Sequence, residues 1–130
     1  MNRIQWVPDP TVLKNYFLKL WVDVGLLDAA WREDPDSYID YGDYTESHAE
    51  VAYAIRIRQT ATMPVVGVSR ERLHIQSGHH TIAYLRDHGA VAIQVMAPKS
   101  QAGELHRLFR ASRRETVLSD EPAVVGATRP

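Results

Sequence analysis

The stretch of sequence that decides the fold is IQSGHHTIAYLRDHG, residues 75–89. It begins with residues that alternate as in a strand, passes through Ser77-Gly78, and continues into an apolar repeat that ends at Gly89. Because glycine is favoured just after the last helical turn, this pattern predicts a helix over roughly residues 80–88. Two adjacent histidines, His79 and His80, therefore stand where a strand gives way to a helix.

The flanking segments predict three further strands and a helix. Residues 64–68, PVVGV, are rich in β-branched side chains, and residues 72–76, RLHIQ, alternate, so the two runs predict a hairpin. The run AIQVMA at 92–97 predicts a strand that Pro98 stops. Ser100 is a suitable cap for a last, locally basic helix.

The N-terminal half predicts a short strand at 3–7 and then two main helices. Asp9-Pro10 is typical of a helix start, and Gly25 of a helix end. Between them lies an apolar stripe at three- and four-residue spacing, formed by Val12, Leu13, Tyr16, Phe17, Leu20, Trp21 and Val24. The pattern favours a short helical turn at 26–31 and a second main helix at 45–58. The acidic, tyrosine-containing segment between these two predicts a solvated loop.

The chain length and the counts of each residue type indicate one domain and exclude several kinds of site. The chain has 130 residues, 45% of them hydrophobic, which suits a single buried core. Its 15 Lys and Arg against 16 Asp and Glu give a net charge of −1. The net charge therefore creates no strong electrostatic field that would favour binding to nucleic acid or to a membrane surface. The absence of cysteine excludes disulfides, thiol nucleophiles and cysteine-ligated metals.

These observations predict a single α+β domain over residues 1–118, with helices packed on a small mixed sheet. The last segment, SDEPAVVGATRP at 119–130, shows no helical or strand spacing of apolar residues and is expected to be a disordered tail. No apolar run reaches the roughly 18 residues that a membrane span needs, so we expect no membrane partner and a cytoplasmic location.

The turn at Ser77-Gly78 is suited to binding an anion. The first turn of a helix has backbone N–H groups without intrahelical partners, and the helix dipole adds partial positive charge there. Gly78 would let a ligand approach the backbone, Ser77 and Thr81 offer hydroxyls, and His79 and His80 offer titratable donors. The alternative is an ordinary strand-to-helix turn whose histidines cap the helix or fill a half-buried corner.

Residues 45–97 resemble the ParB/sulfiredoxin superfamily. The resemblance rests on a helix followed by MPVVGV, a turn, and RLHIQSGHHTIAYLRDHGAVAIQVMA. The GHHT loop followed by a short apolar helix is most similar to the branch of ParB-like nuclease domains. Members place a Gly-x-x-Arg or Gly-Cys-His-Arg loop against the phosphates of a nucleotide, CTP in ParB and ATP or ADP in sulfiredoxin and the free serine kinase. The resemblance implies that Gly78, His79, His80 and Thr81 form that loop here.

Two residues depart from the family pattern. Thr81 stands where the nucleotide-binding members have arginine, so a hydroxyl replaces the fixed bidentate charge. His79 stands where sulfiredoxin has its cysteine, which excludes repair of sulfinic acid by that mechanism.

Three functions follow as hypotheses. The first is binding of a nucleotide or other phosphate-bearing ligand at Ser77–Thr81, with CTP or ATP and Mg²⁺ as the cofactor that the resemblance implies. Arg86, or Arg107 and Arg110 on the last helix, would then add positive charge.

The second hypothesis is a nuclease acting on DNA or RNA. It would use His79 or His80 as catalytic acid or base and a metal held by carboxylates, with Asp43, Glu46 and Glu50 as the nearest acidic residues by analogy. We identify no metal-binding motif of the H-E-x-x-H kind. The third hypothesis is a non-enzymatic module whose acidic segment 31–50 or basic last helix contacts a protein or DNA.

Overall fold

The computed structural model describes residues 2–41, 43 and 46–118. The predicted tail at 119–130 lies outside the described residues. The strands are β1 (Asn2–Arg3), β2 (Gln5–Val7), β3 (Phe17–Asp23), β4 (Thr60–Thr62), β5 (Val65–Ser69), β6 (Arg72–Ser77), β7 (Ala92–Pro98) and β8 (Val117–Leu118). The helices are α1 (Val24–Trp31), α2 (Glu46–Tyr53), α3 (His79–Asp87) and α4 (Lys99–Phe109).

The main sheet has four strands in the order β3-β7-β5-β6. It is mixed, because β3 and β6 are antiparallel to their neighbours whereas β5 and β7 are parallel. The expected hairpin is confirmed as β5–β6, and its turn places Arg70 and Glu71 at φ 54° and 62°. The α+β class with a small mixed sheet is therefore confirmed.

The predicted helix over residues 10–24 is wrong. Asp9 does accept a hydrogen bond from the Thr11 amide, but this closes a local turn, and only a single 3₁₀ turn at Lys14–Tyr16 precedes β3. The apolar stripe belongs to a strand that pairs with β7 from Phe17 opposite Pro98 to Asp23 opposite Ala92. Both faces of β3 carry large apolar residues, and such a run imitates helical spacing.

Helix α1 begins where the first helix was expected to end. The Asp23 side chain caps it by accepting a 2.8 Å hydrogen bond from the Leu26 amide, and Gly25 lies inside its first turn. The short turn expected at 26–31 is thus part of an eight-residue helix. Trp31 at its end is buried in the core, 1% exposed.

The second main helix is confirmed in outline but divided. It consists of α2 and a π-helical turn, Ala54–Arg58, which ends at Gln59 in the left-handed conformation (φ 56°). The chain then forms β4, which pairs in parallel with β2 in a separate two-stranded sheet that the sequence patterns did not predict. A second small sheet pairs β1 with β8.

The core lies between the main sheet and the helices. Helix α3 is its most enclosed element, because every residue from Thr81 to Asp87 is buried. Ile82 and Leu85 are fully inaccessible, and α1 and α2 both pack against α3. Within α3 only its first two residues, His79 and His80, are partly open. The fold therefore fixes the direction of each side chain in the first turn of this helix.

Candidate functional site

The first turn of α3 follows Gly78, which has a left-handed conformation at φ 91°. Gly78 is the N-cap residue, and it has no side chain that could accept a hydrogen bond from the first turn. The expectation that Gly78 lets a ligand approach needs correction, because a Cβ built there would lie 2.6 Å from the Cα of Pro64. Glycine is thus required for its positive φ and for the close packing of Pro64.

Ser77 is engaged by the chain itself. Its hydroxyl donates a 3.1 Å hydrogen bond to the carboxylate of Asp9, which also accepts from the amide and hydroxyl of Thr11. The Thr11 bonds and then the Ser77 bond lower the pKa of Asp9, so this carboxylate is charged near neutral pH. A carboxylate beside the turn repels anions, and a phosphate site therefore depends on residues 79–81.

His79 turns toward α1. Its ring lies 6.0 Å from that of Trp31, and it is half-buried. Burial lowers the pKa of His79, and His80 lowers it further, while a hydrogen bond to the backbone of Ile75 opposes both. The His79 ring is therefore mostly neutral at pH 7.

His80 turns the other way, toward α2. Its ring lies 6.5 Å from that of His48, which in turn lies 5.3 Å from the ring of Tyr84. The two adjacent histidines of the motif therefore face different neighbours.

Sequence patterns alone did not reveal that the rings of His48, His80 and Tyr84 lie close together between α2 and α3. The available signal was the four-residue spacing of His80, Tyr84 and His88, which places all three on one face of α3. His48 belongs to α2, and its closeness to those rings depends on how the two helices pack.

Thr81 is buried and lines a cleft of about 170 Å³ beside the first turn of α3. The cleft also has Glu50 of α2 and Thr60 and Thr62 of β4 in its wall. A second cleft of about 420 Å³ shares Glu50 with it and extends to Tyr53 and Arg58. The start of α3 thus meets a partly polar groove.

Arg86 does not supply positive charge to this turn, contrary to expectation. Its guanidinium is buried at the other end of α3 and pairs with Asp28 at 3.0 Å and with Asp87 at 2.8 Å. It also donates to the backbone oxygen of Ile39 at 2.7 Å and to the hydroxyl of Tyr38. Burial is the main reason why the pKa of Tyr38 is raised to about 12.

Part of the acidic segment therefore packs against the core and is not a fully solvated loop. Tyr38 and Ile39 are partly buried and contact the main core cluster. The guanidinium of Arg86 lies 4.6 Å from the centroid of the Tyr41 ring. Sequence composition did not indicate these contacts.

The other charged candidates are dispersed. Arg107 is exposed and pairs with Glu104 and Glu71 on the surface, and Arg110 is exposed at the end of α4. Of the three suggested metal carboxylates, Asp43 is exposed, Glu50 lines the cleft beside Thr81, and the side chain of Glu46 lies outside the described part of the chain. Within the described ranges, no group of three or more His, Asp or Glu side chains is arranged to hold a metal ion.

Comparison of the chain with protein-family models, with curated proteins and with solved structures finds no match in any of the three. The resemblance to the ParB/sulfiredoxin superfamily therefore stays a prediction drawn from residues 45–97. In the part of the chain that the structure describes, every helix is too short or too polar to cross a membrane.

Proposed function

We propose that this protein binds a phosphate-bearing ligand at the first turn of α3, with a nucleotide as the leading class. The phosphate would contact the backbone amides of His79, His80 and Thr81, where the helix dipole favours negative charge. The supporting observation is that the cleft lined by Thr81 lies beside a helix start whose N-cap residue, Gly78, has no side chain to cap it.

The size and lining of the groove support a ligand larger than inorganic phosphate. The cleft of about 170 Å³ is too small for a whole nucleotide, but it shares Glu50 and Ala54 with the cleft of about 420 Å³. The hydroxyls of Thr60, Thr62 and Thr81 would suit the polar part of such a ligand.

The imidazoles would supply the positive charge that an arginine supplies in the nucleotide-binding members of the superfamily that residues 45–97 resemble. A bound dianion stabilises the protonated form of a nearby imidazole, so His79 would gain a proton as the ligand binds. Since Thr81 stands where the nucleotide-binding members have arginine, we expect weaker binding at alkaline pH, where the His79 imidazole is neutral.

The test is a titration of ¹⁵N-labelled protein with inorganic phosphate, ADP, ATP and CTP, each with and without Mg²⁺, followed by amide chemical shifts. We expect saturable shifts at residues 79–81 and at Thr60 and Thr62. A His79→Ala/His80→Ala variant should lose affinity, whereas His106→Ala, an exposed residue of α4, should bind as wild type. Shifts confined to other segments, or none at millimolar nucleotide, would contradict the proposal.

A metal-assisted nuclease is the second candidate, and the position of Glu50 in the cleft of Thr81 favours it. Glu50 would contribute a carboxylate ligand, and His80 would act as acid or base. Incubation with single- and double-stranded DNA and RNA in Mg²⁺ or Mn²⁺ tests this candidate. Cleavage that is lost in Glu50→Gln but retained in Glu104→Gln would support it, and equal cleavage by both variants would indicate a contaminant.

A further inference from the structure

Strand β6 lies at one edge of the main sheet, with β5 as its neighbour on one side. In the part of the chain that the structure describes, no strand pairs with its other side. The strand extends over six residues, Arg72–Ser77, whose side chains alternate between exposed and partly buried. Its outer edge is therefore long enough to accept a further strand.

The backbone of Leu73 in β6 points to this outer edge. Just before β5, the oxygen of Pro64 accepts a hydrogen bond from the Met96 amide of β7. Four residues further along, on the same side of the chain, the Val68 amide donates a 2.8 Å hydrogen bond to Gln101 of α4. Val68 therefore directs its backbone groups away from β6, although it stands opposite Leu73 in the register. Facing residues of an antiparallel pair either exchange both hydrogen bonds or direct both groups away from each other, so the N–H and C=O of Leu73 face the outer edge.

A cleft of about 240 Å³ lies beside the first half of β6. Leu73 and His74 of β6 belong to one wall, and Ala30 of α1 belongs to the other. Further along the strand, the His79 ring bonds to the backbone of Ile75, which occupies that part of the edge. The accessible part of the edge is thus a strand that runs beside the end of a helix. Grooves of this kind bind extended peptide segments by adding a strand to the sheet.

The lining of this cleft carries more negative than positive charge. Glu33, Asp34 and Glu71 line it together with one cation, Arg72. The exposed Arg107 pairs with Glu71 at 3.3 Å, so the negative charge is concentrated at Glu33 and Asp34, just after α1. The C-terminal end of α1 adds partial negative charge at the same place. A peptide with positively charged side chains complements this groove.

We propose that the outer edge of β6 binds an extended peptide segment of a partner protein, in which lysine or arginine alternates with apolar residues. The segment exchanges backbone hydrogen bonds with Leu73 and becomes a fifth strand of the main sheet. Because side chains alternate along a strand, every second one enters the cleft and lies near Glu33 and Asp34. The proposal does not depend on the binding of a phosphate at the start of α3.

Titration of the ¹⁵N-labelled full chain with the capped peptide TKVKVT tests the proposal, with the capped peptide TEVEVT as its charge-reversed control. We expect saturable amide shifts at residues 30–34 and 71–75 with TKVKVT, and nuclear Overhauser effects between the peptide and the Leu73 amide. TEVEVT should bind at least about fivefold more weakly. Methylation of the TKVKVT backbone nitrogens that face β6 removes their hydrogen bonds and should weaken binding at least about tenfold.

Two variants with the same change of charge test the role of the cleft. Glu33→Lys should reverse the preference, so that TEVEVT binds better than TKVKVT. Asp36→Lys, in the same loop but outside the lining of the cleft, should keep the wild-type preference. Both positions are exposed, so both variants should fold.

Three results with the wild-type protein would overturn the proposal. They are no binding of TKVKVT at millimolar peptide, equal binding of the two peptides, and undiminished binding of the methylated peptide. An unchanged preference in Glu33→Lys would overturn it too. Concentration-dependent shifts at residues 71–75 without peptide would assign the edge to a second copy of this chain and would also overturn the proposal.

Discussion

Arg86 on α3 donates a 3.0 Å hydrogen bond to the carboxylate of Asp28 on α1, although 58 residues separate them in sequence. Asp87 holds the same guanidinium from the adjacent position, and the loop oxygen of Ile39 accepts from it. These contacts join α1, α3 and the segment that follows α1 around the buried guanidinium of Arg86. Because the guanidinium and both carboxylates are charged and largely desolvated, removing the guanidinium takes away most of the compensation for two buried negative charges.

Replacement of Arg86 by methionine should destabilise the protein strongly. The carboxylate of Asp87 would remain fully buried without Arg86, and Asp28 would keep its ion pair with the largely exposed Arg32 at 3.2 Å, so we expect a loss of about 3–5 kcal/mol in the free energy of unfolding. Urea denaturation followed by tryptophan fluorescence measures it. The matched control is Arg107→Met, whose ion pairs are exposed, and it should unfold almost as wild type. Similar denaturation midpoints for the two variants would contradict the account.

Two substitutions of glycine by alanine should have opposite effects on the free energy of unfolding. Gly78→Ala places a Cβ against Pro64 at φ 91°, so we expect a loss of at least about 1–2 kcal/mol in unfolding free energy. Gly103→Ala in α4 meets open space and should gain about 0.5–1 kcal/mol, since alanine favours the helix. Thermal unfolding of both variants checks the pair. A stable Gly78→Ala variant would show that the turn adopts another conformation.

Thr116 should contribute more to the stability of the fold than so small a side chain usually does. Its hydroxyl accepts from the Trp6 indole at 3.0 Å and donates to the backbone oxygen of Ala92 at 2.7 Å, and it is 2% exposed. Thr116→Val keeps the shape but leaves both partners unsatisfied, with an expected cost of about 1–3 kcal/mol. Thr116→Ser retains the hydroxyl and should lose clearly less. Equal unfolding free energies for the two variants would argue against these hydrogen bonds.

The cap of α1 supplies a further test. Asp23→Ala removes the acceptor for the Leu26 amide and should cost about 1 kcal/mol in unfolding free energy. Asp23→Asn keeps an acceptor oxygen and should retain most of that stability. Chemical denaturation of both variants provides the measurement. If Asp23→Ala proved neutral, the start of α1 would not depend on this cap.

The sequence by itself determined the elements from β5 to α4, except for the start of α4, where Ser100 lies inside the helix and does not cap it. There, local signals agree with the tertiary structure: the alternating strands, Gly78 before α3, Gly89 (φ 84°) after it, and Pro98 at the end of β7. Each of these residues restricts the backbone through its own sterics, so no distant contact is needed to interpret it.

Only the tertiary structure decided the N-terminal region and the neighbours of the site. The run from Phe17 to Asp23 became a strand because β7 offers it a partner along its whole length, and no local pattern reveals that pairing. Likewise the sequence placed His79 and His80 together, whereas helix packing directed one toward Trp31 and the other toward His48. Long-range pairing and burial made those choices, because their free energies exceed the small differences in local propensity.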